Sequence, residues 1–342
     1  MKRFFLFFII SFFSYAYNFA KVKALSIGIS KYPKETEWND INAYNDVILI
    51  KSLFPDANTI ENSQATHNGI INAIKALQKS SNKGDTIIIH FSGHGQQILT
   101  HKSDSEIDKI DEAIVPYDAA KRKTAKYNGC NHYTDDDFGT EIEWLRKIVG
   151  KDGLVIVLID ACHSDSMDKT TDNCNEIYRG TNEIFGTESL TFEEITELKK
   201  SYHSQDSSNI TCNNMLSDVI FISACRSNQR NYEIIINGLR YGSLTFYFFK
   251  AMKEHGLNDL NNLLLTTYNG MFNDKTLRFH GQLPSIRNTI GWVPPLNSNS
   301  TTPPIPNEIN DSNSLSYITI ITSIIGIALI IAIILWIIHK KK

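Results

Sequence analysis

Apolar residues run through this chain in two rhythms. Val22 to Ser30, Asp85 to Phe91, Gly153 to Ile159 and Asp218 to Ala224 are short stretches that are apolar at nearly every position. Such runs predict strands buried on both faces. Between them the spacing becomes helical. Ala43, Val47, Ile50 and Leu53 predict a helix over 42–53, and Ile70, Ile71, Ile74 and Leu77 predict a second behind an N-cap at Thr66. Further helices are predicted over 137–149, capped from Thr134-Asp135-Asp136, and at about 243–254 and 257–272. Strands alternating with helices predict an α/β fold with a mostly parallel central sheet and helices on both faces. In such sheets chemistry collects beyond the carboxyl ends of the strands.

Asp165 to Leu216 breaks the rhythm. It is polar and acidic, with one helix predicted at Thr191–Lys200. Roughly 50 residues is too long for an ordinary connection, so the segment reads as an insertion or a cleavable linker. Cys174 and Cys212 both lie in it. A bridge between them would hold the chain together after a cut at Arg179, Lys199 or Lys200.

Neither end belongs to the folded domain. Residues 1–20 join a basic start, Lys2-Arg3, to a ten-residue apolar core with one Ser, then small residues at Ser14 and Ala16. That is the pattern of a secretory signal peptide, too short to span a bilayer. Residues 317–338 are 22 uncharged residues rich in Ile and Leu, followed by His339 and three lysines. As a helix they would span roughly 33 Å, enough for one crossing. The lysines place the 339–342 tail on the cytosolic side. Residues 293–316, rich in Pro, Ser, Asn and Thr, read as a stalk. The expectation is a single-pass type I membrane protein of the secretory pathway, with a domain over residues 21–292 in the lumen or outside the cell.

Composition narrows the function. The chain has 34 Lys+Arg against 37 Asp+Glu, a net charge of -3. Removing Lys2, Arg3 and the tail lysines takes the exposed part to -8. That balance disfavours a nucleic-acid partner, and 42% hydrophobic residues exclude a disordered chain.

Two chemical groups sit at predicted strand ends. Ser92-Gly93-His94-Gly95 follows one strand, and Asp160-Ala161-Cys162-His163-Ser164 follows another. A thiol needs an imidazole near it in space to become a nucleophile. Taken alone, Cys162 could be buried filler and His94 a turn residue.

Three motifs in order carry more weight. Phe91-Ser-Gly-His-Gly95, Asp111-Glu-Ala-Ile-Val-Pro-Tyr-Asp118 and Asp160-Ala-Cys-His-Ser164 resemble the caspase-like cysteine peptidases, and metacaspases among them most closely. The likeness extends to Phe221–Arg226 and Tyr241–Thr245 and covers most of residues 22–255. It implies His94 as general base and Cys162 as nucleophile, with a thioester intermediate. It implies an oxyanion hole from the N–H groups of Gly95 and Cys162. It implies an S1 pocket with Asp160 and Asp46, and so substrates with Arg or Lys at P1. No cofactor is needed for that chemistry. Some metacaspases bind calcium through acids corresponding to Asp111, Asp135 and Asp136, with Asp168 as a fourth across a one-residue gap; a helix cap is the other reading of Thr134–Asp137. Where the family has Gly after Cys-His-Ser, this chain has Asp165, whose charge would oppose a thiolate. Two other readings stand beside this one: a legumain-like or GPI-transamidase-like enzyme, and an inactive pseudoprotease.

Overall fold

The computed structural model describes residues 20–99, 110–162, 176–188, 190–203, 215–226 and 229–295. All of the predicted signal peptide but Ala20, the membrane segment 317–338 and nearly all of the stalk lie outside these residues. No helix among the described residues is long and apolar enough to cross a membrane.

Eleven strands and seven helices follow one another in the described residues. The strands are β1 (Val22–Gly28), β2 (Asn58–Glu61), β3 (Thr86–Ser92), β4 (Gly95–Leu99), β5 (Ile110–Ile114), β6 (Tyr133–Thr134), β7 (Leu154–Asp160), β8 (Asp218–Ser223), β9 (Glu233–Ile236), β10 (Leu239–Gly242) and β11 (Ser285–Asn288). The helices are α1 (Ala43–Leu53), α2 (His67–Ser80), α3 (Asp135–Val149), α4 (Phe192–His203), α5 (Ser243–His255), α6 (Leu260–Asn273) and α7 (Lys275–Phe279).

Six strands form the central sheet in the order β11-β8-β7-β3-β1-β2. All its neighbours pair in parallel except the edge strand β11, which runs antiparallel to β8. The continuous apolar runs are explained by two-sided burial. Leu25, Ile27, Ile87, Ile89, Val155 and Val157 pack on one face against Ile70 and Ile74 of α2 and Phe138, Ile142 and Leu145 of α3. The alternating positions Ala24, Ile88, Ile156, Leu158, Ile220 and Ile222 face Ile50 of α1, Phe248 of α5 and Leu263 and Leu264 of α6. Each such side chain removed from water contributes about 1.5–3 kcal/mol.

The register decides where function sits. Gly28 pairs with Ser92, and Ser92 pairs with Asp160, so β1, β3 and β7 end in line. His94 and Cys162 therefore each fall two residues beyond one paired position, on adjacent strands.

Sequence periodicity did not reveal β2, β11, the β9–β10 hairpin or the three-stranded sheet β4-β5-β6. These strands are two to five residues long, too short to show a period of two. Residues 176–188, expected to be insertion or linker, run back over the strand ends. Phe185 bridges Ile98 in parallel, and Phe185 N–H donates to the Gln97 carbonyl at 2.8 Å.

Candidate active site

His94 leaves β3 through Gly93, whose N–H reaches the Asp160 carbonyl at 3.4 Å. Its ring is buried, stacked on Trp38 at 4.8 Å and tilted against Tyr32 at 5.2 Å. The Tyr32 hydroxyl accepts from His94 N–H and donates to the Val115 carbonyl, both at 3.1 Å. His94 Nε2 lies 2.8 Å from the Asn39 carbonyl oxygen. A carbonyl can only accept, so Nε2 carries the proton and Nδ1 keeps its lone pair. That Nδ1 is buried with no hydrogen-bond partner among the described residues. Burial pulls the His94 pKa down to about 4, against the Asn39 carbonyl and helped by the charges of Arg179 and Lys121. The ring is a neutral base at neutral pH. Tyr32 and Trp38, which orient it, were not singled out from sequence; a Tyr and a Trp just after a buried strand were the available signal.

His90 and His132 are held neutral for the same reason, both with pKa lowered to about 4 chiefly by burial. Each folded value lies below the unfolded one, so the unfolded chain takes up protons first as pH falls. The stability these neutral rings allow is complete above pH ~6.5 and is lost progressively toward pH ~4. Asp46, raised to about 6 by burial against the opposing charge of Arg179, acts in the other direction. Three histidines outweigh one carboxyl, so urea unfolding at about pH 4.5 is expected to show a loss of several kcal/mol relative to pH 7. An unchanged midpoint would mean these rings are not buried neutral.

Cys162 is also buried. Its thiol donates to the Gln229 carbonyl at 2.7 Å. Its backbone N–H donates to the carbonyl oxygen of Arg179 at 2.8 Å. Cys225 lies close by: its Sγ is 3.9 Å from the Ala161 carbonyl, and contact with the Cys162 thiol, followed by burial, pushes its own thiol well up. Cys130, Cys162 and Cys225 are all free thiols; Cys174 and Cys212 lie outside the described residues, as do His163, Ser164, Asp165 and Asp168.

The second predicted oxyanion donor, Gly95, opens β4 opposite Ile114. Val115 N–H donates to the His94 carbonyl at 3.0 Å. Antiparallel pairs alternate between bonded and unbonded, so the neighbouring Gly95–Ile114 pair leaves the Gly95 N–H out of the ladder.

Asp46 and Asp160, expected at S1, lie around one point together with Glu233, which the sequence did not single out. Arg179 is fully buried among Asp46, Asp160 and Glu233. Its Nη1 is 2.8 Å from Asp46 Oδ2, 2.7 Å from Ser92 Oγ and 3.5 Å from Asp160 Oδ1. Its Nη2 is 3.0 Å from Glu233 Oε1. Burial alone would pull the guanidinium pKa down; the three carboxylates overcome that and hold it above its usual value. Asp46 makes the tight contact. Asp160, adjacent to the nucleophile in sequence, turns its oxygens mainly to Asn231 and to the N–H and hydroxyl of Thr245, at 2.7–2.8 Å. Glu233 escaped notice because it begins a short strand far from any motif. Its Oε1 and Oε2 also accept from the N–H and side chain of Asn42, each at 2.7 Å. Gly242 forms a wall of this cluster, and a Cβ there would come within 2.2 Å of Asp160 Oδ2.

The acids expected to hold calcium do not assemble in the same way. Asp135 and Asp136 occupy the first turn of α3, which Thr134 caps through its hydroxyl, and Asp111 lies on β5. Among the described residues no three His, Cys, Asp or Glu side chains converge on a point that could hold a metal. Asp168, the fourth acid expected there, lies outside the described residues, and no step below runs through calcium.

The Caspase domain family model matches residues 21–291. The chain belongs to the caspase-domain family. It is a caspase-like peptidase homologue close to metacaspases. It is 25% identical over 286 residues to Metacaspase-1 of Meyerozyma guilliermondii, covering 70% of this chain and 65% of that one. It is 30% identical over 159 residues to Metacaspase-4 of Arabidopsis thaliana, covering 42% and 34%. The chain thus spans between about a third and two thirds of the length of such relatives. Among solved structures, protein GSU0716 from Geobacter sulfurreducens superposes with a TM-score of 0.50 at 20% identity, over 78% of this chain and 93% of that one. That likeness shows a shared fold and nothing further.

Proposed function

We propose that this protein is a cysteine endopeptidase that cuts after basic residues, arginine in preference to lysine. One observation carries the reading. Arg179 lies with its guanidinium among Asp46, Asp160 and Glu233 while its carbonyl oxygen sits on the Cys162 N–H. A side chain of known charge and the carbonyl of the same residue are held together beside a thiol. That is what a peptidase needs from a P1 residue.

The roles follow from the atoms. His94 Nδ1 takes the Cys162 proton, because Nε2–H is committed to the Asn39 carbonyl. The sulfur attacks the P1 carbonyl carbon. The developing oxyanion is held by the Cys162 N–H and by the Gly95 N–H that the ladder leaves over. The imidazolium returns its proton to the leaving amine, and water resolves the thioester. Asp46 and Asp160 supply negative charge for any basic P1 side chain. Glu233 meets the second guanidinium nitrogen, which a lysine ammonium lacks. The reading includes a domain on the lumenal or outer side of a membrane, tethered by residues 317–338.

The test offers the full chain fluorogenic peptides ending in Arg, Lys, Asp or Asn, with and without calcium. Expected is the order Arg, then Lys, with the Asp and Asn peptides at background. A preference for Asn would place the chain with legumain-like enzymes. Silence toward all four from a folded protein would support a pseudoprotease.

A further inference from the structure

Cys225 is a buried, free thiol that the chemistry above does not use. The sheet topology carries it to the nucleophile. β7 and β8 run parallel with Ile159 opposite Ser223, and Ala224 N–H donates to the Ile159 carbonyl at 3.0 Å, so the pairing continues past the end of β8. Cys162 falls three residues beyond that paired position on one chain, and Cys225 two beyond it on the other. Neighbouring strands lie about 4.8 Å apart and rise about 3.3 Å per residue. Residues offset by one step across them have α-carbons about 5.8 Å apart, within the range of about 4.4–6.8 Å that a disulfide spans.

The side chains close the gap. Cys225 Sγ lies 3.9 Å from the oxygen of Ala161, the carbonyl of the peptide bond that leads into Cys162, and the two thiols are in contact. Cys162 turns its thiol to the loop that Cys225 opens. It donates to the Gln229 carbonyl at 2.7 Å, and Gln229 N–H donates to the Arg226 carbonyl at 3.0 Å. The two sulfurs are not equivalent. On the peptidase reading, on which this inference rests, Cys162 has His94 to take its proton. Cys225 has a neighbouring sulfur and a buried setting, and both keep its thiol protonated. Cys162 is therefore the one that meets an oxidant as a thiolate.

We propose that Cys162 and Cys225 are a redox pair, joined by hydrogen peroxide into a reversible disulfide that switches the nucleophile off. Cys162 is only 1% exposed, which admits a small oxidant, and peroxide is little larger than water. His94 takes the Cys162 proton, and the sulfur attacks one peroxide oxygen. The O–O bond breaks. One oxygen stays on sulfur as a sulfenic acid, and the other leaves as water with the proton from His94. The Cys225 sulfur then attacks the Cys162 sulfur, the S–O bond breaks, and the hydroxyl leaves as a second water with the Cys225 proton. The two thiols lose two electrons and two protons, and one peroxide is reduced to two waters. The disulfide also shields the nucleophile, because a dithiol restores it and does not restore a sulfinic acid.

The full chain is purified under reducing conditions as wild type, C225A and C162A. Each is exposed to hydrogen peroxide, alkylated and mapped by peptide mass spectrometry, with an Arg-ending fluorogenic peptide assayed in parallel. In the wild type we expect the peptide bearing Cys162 joined to the one bearing Cys225. Hydrolysis should fall at least about ten-fold and return with dithiothreitol. C225A should start within about two-fold of wild-type activity and lose it to peroxide irreversibly, as the Cys162 sulfinic acid. In C162A, Cys225 should stay a thiol. A wild type that hydrolyses the peptide but whose Cys162 resists peroxide, or oxidises without joining Cys225, overturns the pair and leaves the peptidase. Joining to Cys130, Cys174 or Cys212 instead also overturns it. A folded chain that joins the two cysteines yet hydrolyses nothing when reduced keeps the pair and overturns the peptidase.

Discussion

Cys162→Ala is expected to lower hydrolysis of an Arg-ending peptide by at least about 10³-fold, because the thiol is the only atom the substitution removes that takes part in bond making. The backbone N–H that holds the P1 carbonyl survives, and so do the pocket acids. Binding should persist while turnover is lost. An inhibitor ending in arginine aldehyde cannot report this, since it also needs the sulfur; competition by an arginine amide can. The site is buried and the change deletes one small atom, so the melting temperature should move by no more than a few degrees. A variant retaining a tenth of wild-type kcat/KM would remove Cys162 from the mechanism.

Glu233→Gln is expected to reduce the ratio of kcat/KM for Arg over Lys peptides by at least ten-fold. The ratio is the right quantity here. Arg179 competes equally with both peptides, so self-occupancy cancels. Asp46, Asp160 and Ser92 all meet one guanidinium nitrogen, Nη1, and serve an ammonium equally well. Among the described residues Glu233 alone meets Nη2. Truncating one side of a buried charge-assisted pair costs about 2–5 kcal/mol, and only the arginine substrate feels it. Glutamine keeps one oxygen for the Asn42 N–H, and a flip of the Asn42 side-chain amide turns its oxygen toward the new NH2, so the entry to α1 is preserved. If Arg and Lys peptides fall together, Glu233 is a general acid of the pocket and not the residue that tells them apart.

Much of the fold was legible because its central strands are buried on both sides. Such strands must be apolar at every position, and β1, β3, β7 and β8 announce themselves within a residue or two. The helices α2 and α3 were equally plain, since one face of each packs on the sheet and their caps, Thr66 and Thr134, do cap. The short strands were silent. A ladder of two to five residues is held by its partners and carries no rhythm of its own. Among site residues, those inside compact motifs could be named. Tyr32, Trp38, Glu233 and Gln229 could not, since each acts through a contact made at a distance along the chain.

Residues 176–188 show the same division. Their polar composition suggested an insertion or linker, and Arg179 stood only as one basic residue among several where a linker might be cut. Nothing in sequence says that this arginine is buried. Its burial depends on Asp46 from α1, Asp160 from β7 and Glu233 from β9 arriving around one point, and on a glycine at 180 that lets the chain pass the Cys162 carbonyl. By itself the sequence determined the apolar framework, the strand ends that carry His94 and Cys162, and their chemical types, because burial and local turns are written in neighbouring residues. Only the tertiary structure decided which carboxylates meet and what fills the space between them, because charges interact through distance in space and the chain's order records none of it.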